Sequence, residues 1–300
     1  MSRPVRLAAA LLVVLGLLGL HTQAWAEQGD WTRSAVFEVG RAAADMDDGT
    51  GGVSGLSMRL GAGISAERAR KLAPGRSDLL SFGLTVEQFP EARSADRQHL
   101  DLAYEYRLAL GGNGRRQLRY RLEATVARDG TEHVFSRVRA AAAVRTTFRP
   151  GNAVQWRVRA GYRDQNDARF TGFDQWELMA DMSWFWRDAS QRFSGLVTVY
   201  TDWRHADDDI HSHSETGLRL IARQHLSDDL AIAVRANGFR RLYHEGGRKD
   251  HRLSLMVGPE IRLSPNVSLD LHVGYQKHSS TRIDRRHSGP IAGVALTWTW

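Results

Sequence analysis

Eight arginines stand close together in one stretch of the chain, most of them two residues apart: Arg119, Arg121, Arg137, Arg139, Arg145, Arg157, Arg159 and Arg163. A guanidinium pairs bidentately with carboxylate or phosphate, so a wall of them recognises anions. On the same face by alternation stands Glu123, and the next segments add Glu177, Asp181, Asp202 and Glu215, then Arg219 and Arg223. That chemistry is charge selection. The sequence offers little for covalent catalysis. Ser254 and His272, or His211 beside Asp209, supply the right atoms, but no motif frames either pair. His205, Asp207, Asp208, Asp209, His211 and His213 carry donor types for a divalent cation; their crowding in one polar stretch is that of a solvated loop, and no metal is expected. The chain has no cysteine, which excludes thiolate chemistry and Cys-based metal sites. There is no phosphate-cradling glycine loop and no nucleic-acid motif. The expectation is a protein that is not an enzyme, with no cofactor and no nucleic-acid partner, despite a net charge of +7.

The elements that position these residues are strands. In Leu100 to Leu110 the even positions are Leu100, Leu102, Tyr104, Tyr106, Leu108 and Leu110, and the odd ones include Asp101, Glu105 and Arg107. A helix would mix these on shared faces, whereas a strand separates them completely. Leu118, Tyr120, Leu122 and Val126 likewise oppose Arg119, Arg121 and Glu123. Val154, Trp156, Val158 and Tyr162 oppose Arg157, Arg159 and Arg163. Fourteen such segments begin near Trp31, Val53, Leu79, Gln98, Gln117, Val134, Ala153, Asp174, Arg192, His213, Leu230, His251, Val267 and Pro290. A length of 10 to 13 residues suits a tilted bilayer crossing (~9–11 residues) better than a soluble strand (~5–6). The predicted fold is all-β: an up-and-down antiparallel transmembrane β-barrel of about 14 strands, with 12–16 allowed.

The connections alternate in length. Arg149-Pro150-Gly151-Asn152, Asp188 to Gln191 and Ser264-Pro265-Asn266 have tight-turn chemistry. Between them lie longer polar stretches at Asp164–Phe173, Arg204–Ser212, Arg240–Lys249 and Lys277–His287. Short turns at one end and longer loops at the other are the outer-membrane pattern. Aromatics fall at both ends of the apolar face. Tyr106, Tyr120, Phe148, Trp156, Trp184 and Trp186 lie near the short turns, and Tyr162, Trp176, Trp203 and Tyr275 near the long loops. Two interfacial girdles follow. Ser65–Asp78 reads as a long polar connection and, with Ala42–Gly52, as a candidate lid.

The start of the chain reads as an export signal. Met1 to Arg6 carries two arginines, Leu7 to Leu20 is an uncharged apolar run, and Ala24-Trp25-Ala26 is a small-x-small cleavage site. Residues 1–26 are therefore assigned to a secretory signal peptide and residues 27–300 to the barrel.

In the final segment, Ala292, Val294, Leu296, Trp298 and Trp300 alternate with Gly293, Ala295, Thr297 and Thr299. This resembles the C-terminal β-signal of Gram-negative outer-membrane proteins, carried here by Leu296, Trp298 and Trp300. The resemblance implies recognition by the barrel assembly machinery and residence in the outer membrane, against lipid and lipopolysaccharide. Lys249 to Leu255 and Ser264 to Leu269, followed by Tyr275 and Ser279-Ser280, are similar to the barrel of surface lipoprotein assembly modifiers. Those proteins carry a periplasmic tetratricopeptide domain for which no segment is expected here.

A cylinder of this width is not filled by its wall side chains, so its lumen is water-filled or plugged. The expected function is a porin-like channel for passive diffusion of small polar solutes, with the eight arginines and the four acids Glu177, Asp181, Asp202 and Glu215 lining it. The arginine excess leans it toward anionic solutes or acidic oligosaccharides. The alternative is a secretion or assembly barrel that exports a polysaccharide or surface lipoprotein with periplasmic partners.

Overall fold

The computed structural model describes residues 31–43, 55–111, 114–129, 132–166 and 171–300. The assigned export signal lies outside these residues, as does the proposed lid 42–52 beyond Ala43. In chain order the strands are β1 (Trp31–Ala43), β2 (Leu56–Ala73), β3 (Arg76–Gln88), β4 (Arg97–Leu110), β5 (Arg116–Asp129), β6 (Glu132–Arg149), β7 (Asn152–Gln165), β8 (Gln175–Arg187), β9 (Phe193–Ala206), β10 (His213–His225), β11 (Leu230–Tyr243), β12 (Lys249–Ser264), β13 (Val267–Ser280) and β14 (His287–Thr299). Each pairs antiparallel with its neighbour in sequence, and β1 pairs with β14, so the fourteen strands form a closed barrel. At the seam Arg33 N donates to Trp300 O at 3.0 Å and Trp300 N donates to Arg33 O at 2.9 Å. Closure leaves no open edge, which is what allows strands to cross a bilayer.

Register divides the wall into two faces. Tyr106 stands opposite Tyr120, Leu102 opposite Ala124, and Val158 between Ala142 and Ala180. These rows point outward: Val138 and Trp156 are each 62% exposed, whereas inward-facing Asp181 is 4% exposed. A closed chain that puts its apolar residues outside and its carboxylates inside is built for lipid. The end-of-strand aromatics Phe148, Trp156, Trp176, Trp184, Trp203 and Tyr275 are all exposed on that outer face.

The strands run 13 to 18 residues, longer than the sequence pattern indicated. β11 continues to Tyr243 and β13 to Ser280, so the connections after them shrink to residues 244–248 and 281–286. Ser65–Asp78 is not a loop or lid. It is the end of β2, a turn at Pro74-Gly75 and the start of β3, with Ala66 paired to Phe82 and Arg70 to Asp78. Its polarity has a physical reason: β2 and β3 run past the apolar band, so the outward positions there are Arg68, Arg70 and Asp78. Arg70 Nε donates to Asp78 Oδ1 at 3.0 Å, and Arg68 lies 5.2 Å over the Trp31 ring. Gly75 has φ +71°, a left-handed turn conformation that favours glycine.

At the long-loop end the residues between β3 and β4 fold onto the inner wall. Phe89, Ala92 and Ala95 pack with Ala127, Val134, Phe135 and Phe173 in a buried apolar cluster. A one-turn 3-10 helix, Arg93–Ala95, closes this loop, and Asp96 accepts from Phe89 N at 2.7 Å.

Candidate functional site

The eight arginines sit on β5, β6 and β7, all on the inward face, opposite the row of Tyr120, Val138, Trp156 and Val158. Arg119, Arg121, Arg139, Arg157 and Arg159 each have a carboxylate within 4 Å. Arg121 Nε donates to Glu123 at 2.7 Å, and Arg139 reaches the other Glu123 oxygen at 2.9 Å. Arg157 Nε donates to Asp181 at 2.9 Å, Arg159 lies 3.5 Å from the same oxygen, and Arg119 lies 3.9 Å from Glu105. Arg163, Arg137 and Arg145 lie over aromatic faces. Arg163 lies 4.0 Å over the Phe135 ring and donates to Gln165, Arg137 lies 5.8 Å over the same ring, and Arg145 lies 4.4 Å over Phe185. A guanidinium over a ring keeps its charge while shedding part of its hydration.

The four acids lie on β8, β9 and β10. The arginine-bearing strands β5–β7 adjoin the acid-bearing strands β8–β10, and register brings the two groups together at their boundary. Arg157 stands opposite Asp181, Asp202 opposite Glu215, and Glu177 between Gly161 and Arg204. Arg204 Nε donates to Asp202 at 3.0 Å. Glu215 accepts from Tyr200 Oη at 2.7 Å and from Arg241 Nε at 2.8 Å. Cross-strand pairing therefore accounts for much of this charge, and it holds the wall in register.

Sequence reasoning missed a second network further along the wall. Arg235 on β11 bonds both Glu260 and Asp270, and Arg223 Nε donates to Glu260 at 2.7 Å. Arg59 on β2 bonds Glu38 and lies 3.5 Å from Glu87. The signal that could have found them was inward parity in β2 and β11–β13, where charges are spaced too widely to read as a cluster.

Between these groups lies an internal cavity of about 310 Å³. Its charged lining is six arginines (Arg139, Arg159, Arg204, Arg219, Arg241, Arg252) against three carboxylates (Glu177, Asp202, Glu215), with Asn237 and Tyr200 beside them. Arg219 lies 4.8 Å over the Tyr200 ring and has no carboxylate partner among the described residues. A cationic excess inside low-dielectric walls concentrates anions.

The other candidates come apart. Ser254 stands opposite Gln276, which places His272 four residues further along the strand, roughly 13 Å away. In the outer loop Asp208 accepts from Ile210 N at 3.2 Å, His213 Nδ1 meets His211 O at 2.9 Å, and His211 stacks on Phe173 at 3.5 Å. Those donors fold the loop, and no cluster of three or more potential metal ligands occurs among the described residues. Burial lowers the His211 pKa, with Arg248 adding to the effect and Asp208 opposing it.

No protein-family model matches the chain, and no curated protein matches it. Solved structures do. A loop L8 deletion mutant of OmpT, an outer membrane protein of Vibrio cholerae, superimposes with a TM-score of 0.51 at 10% identity, over 91% of this chain and 99% of that one. In-vitro folded OmpT of the same organism gives 0.50 at 9% identity, over 90% and 97%. CdiB from Acinetobacter baumannii gives 0.50 at 9% identity, over 90% of this chain and 60% of that one. At these identities the likeness is one of fold. The closed fourteen-strand wall with its lipid-facing band is that of an outer-membrane β-barrel.

Proposed function

We propose that the barrel is an outer-membrane channel for small polar solutes and that it favours anionic ones, acidic oligosaccharides among them. The observation that carries this reading is the inner cavity with six arginines and three carboxylates. Arg119, Arg121, Arg137, Arg139, Arg145, Arg157, Arg159 and Arg163 line the path, and Glu177, Asp181, Asp202 and Glu215 set their spacing. Arginines tied to carboxylates still present spare N–H donors, while Arg219 offers a charge that no carboxylate among the described residues pairs. Residues 1–26 serve export and are removed after Ala26, and Leu296, Trp298 and Trp300 engage the assembly machinery.

Reversal potential across a planar bilayer under a KCl gradient tests the reading. The expected result is single-channel conductance with anion preference, reduced in Arg219→Gln. Cation preference, or absence of conductance from folded protein, would defeat it. Liposome swelling with neutral against acidic sugars then tests the solute class.

A further inference from the structure

On the outer wall at the long-loop end, β12, β13 and the 281–286 connection enclose a groove of about 700 Å³. Its lining includes Lys249, His251, Lys277, Ser279, Arg286 and Ser288. Lys249 and Lys277 are two of only three lysines in the chain. Strand alternation turns Lys249, His251 and Lys277 outward and Asp250, Arg252 and His278 inward. The outward three are exposed, and Asp250 and His278 are buried.

These cations are not balanced by nearby acids. Asp250 accepts from Arg248 Nη2 at 2.6 Å and from Ser280 Oγ at 2.6 Å, on the inner side of the wall. Asp284 is bonded by Arg282 at 2.8 Å. Arg286 Nε donates to Ser280 O at 2.6 Å, which fixes its stem and leaves its terminal nitrogens available. Among the described residues, no carboxylate lies within ion-pair distance of Lys249, His251, Lys277 or Arg286.

Beside and below the lower end of the groove the same strands carry the lipid-facing residues Leu253, Leu255, Val273 and Tyr275, all exposed. Anything seated in the groove therefore meets positive charge at the rim and an apolar wall beneath it. That combination fits a lipid headgroup better than a free anion, which the interior arginines would attract instead. Short turns face the periplasm in barrels of this type, so this rim lies in the outer leaflet. Thr281 N donates to Lys249 O at 3.0 Å and Lys277 stands opposite Leu253, which sets the two lysines roughly 13 Å apart along the strands. Two cationic centres so spaced suit two phosphates set one disaccharide apart.

We propose that this groove binds the phosphorylated disaccharide headgroup of an outer-leaflet glycolipid, with Lys249 and Lys277 on separate phosphates and Arg286 and His251 supporting them. The inference rests on membrane placement and not on conduction.

The test uses full-length folded barrel in phosphatidylcholine nanodiscs. A bisphosphorylated acylated disaccharide is the probe, and its dephosphorylated form, phosphatidylglycerol and inorganic phosphate are the comparators. The protein is expected to retain the bisphosphorylated lipid and to lose about a hundredfold in affinity in the variant Lys249→Gln/Lys277→Gln/Arg286→Gln. The dephosphorylated lipid should bind as weakly as the variant does. Heat-modifiable migration confirms that the variant has folded. Its bilayer conductance should be unchanged, which separates this inference from the channel reading. Equal retention by wild type and variant, equal binding of phosphatidylglycerol, or displacement by equimolar inorganic phosphate would overturn it.

Discussion

Glu215 and Arg241 form a buried ion pair across β10 and β11, with Arg241 Nε and Nη2 both 2.8 Å from Glu215 Oε2. The other carboxylate oxygen accepts from Tyr200, whose ring lies over Gly217. Removing one partner of a buried pair strands the other charge, at a cost of about 3 kcal/mol. Glu215→Ala should therefore lower barrel stability by about that amount, read from urea unfolding in lipid vesicles. Arg241→Met with Glu215→Leu should recover most of the loss, because no charge is left uncompensated.

A Cβ at Gly217 would lie 2.5 Å from the Tyr200 ring. Gly217→Val should displace Tyr200 from Glu215. The expected signs are a shift in tyrosine fluorescence and a fall in stability smaller than that of Glu215→Ala. An unchanged fluorescence spectrum would show that the ring does not depend on the gap.

Asp181 neutralises Arg157 and Arg159 together and has a fully buried side chain. Asp181→Asn leaves two inward guanidinium charges without their shared carboxylate. Anion selectivity measured by reversal potential should rise, while stability falls. A move toward cation selectivity would contradict the assignment of these residues to the conduction path.

His211 docks its outer loop by stacking on Phe173, and its pKa is lowered chiefly by burial. The folded loop therefore favours the neutral ring. Docking is complete above the free-imidazole value of about 6.5 and is lost as pH falls through it toward the lowered folded value. Limited proteolysis should cut this loop faster at acidic than at neutral pH. His211→Gln should remove the pH dependence.

Trp298 and Trp300 stand 4.8 Å apart, ring to ring, where β14 meets β1. Replacing both with alanine should reduce the folded fraction in cells, seen as loss of heat-modifiable migration, far more than it slows refolding of purified protein into detergent. Equal defects in both assays would make the pair a structural closure alone.

Much of this architecture is legible in the chain. Alternation such as Leu102, Tyr104, Tyr106 against Asp101, Glu105, Arg107 identifies a strand and its lipid side without tertiary information, because the side-chain period of two leaves one consistent assignment. That alternation also placed all eight arginines and all four acids on the inner face. It failed at Ser65–Asp78, where both sides of the hairpin are polar because it lies beyond the apolar band. It did not bring together Arg235, Glu260 and Asp270 of β11–β13, which are far apart in sequence.

The sequence by itself indicated the face on which most charges lie and a count of about fourteen strands, which the closed barrel fixed at fourteen. Only closure of the barrel decided which charges meet. Register between strands depends on turn geometry and on the β1–β14 seam, and it set Arg157 against Asp181, Glu215 against Arg241 and two lysines around one rim groove. Parity is a property of a single strand, whereas pairing is a property of two, and no single strand carries the offset to its neighbour.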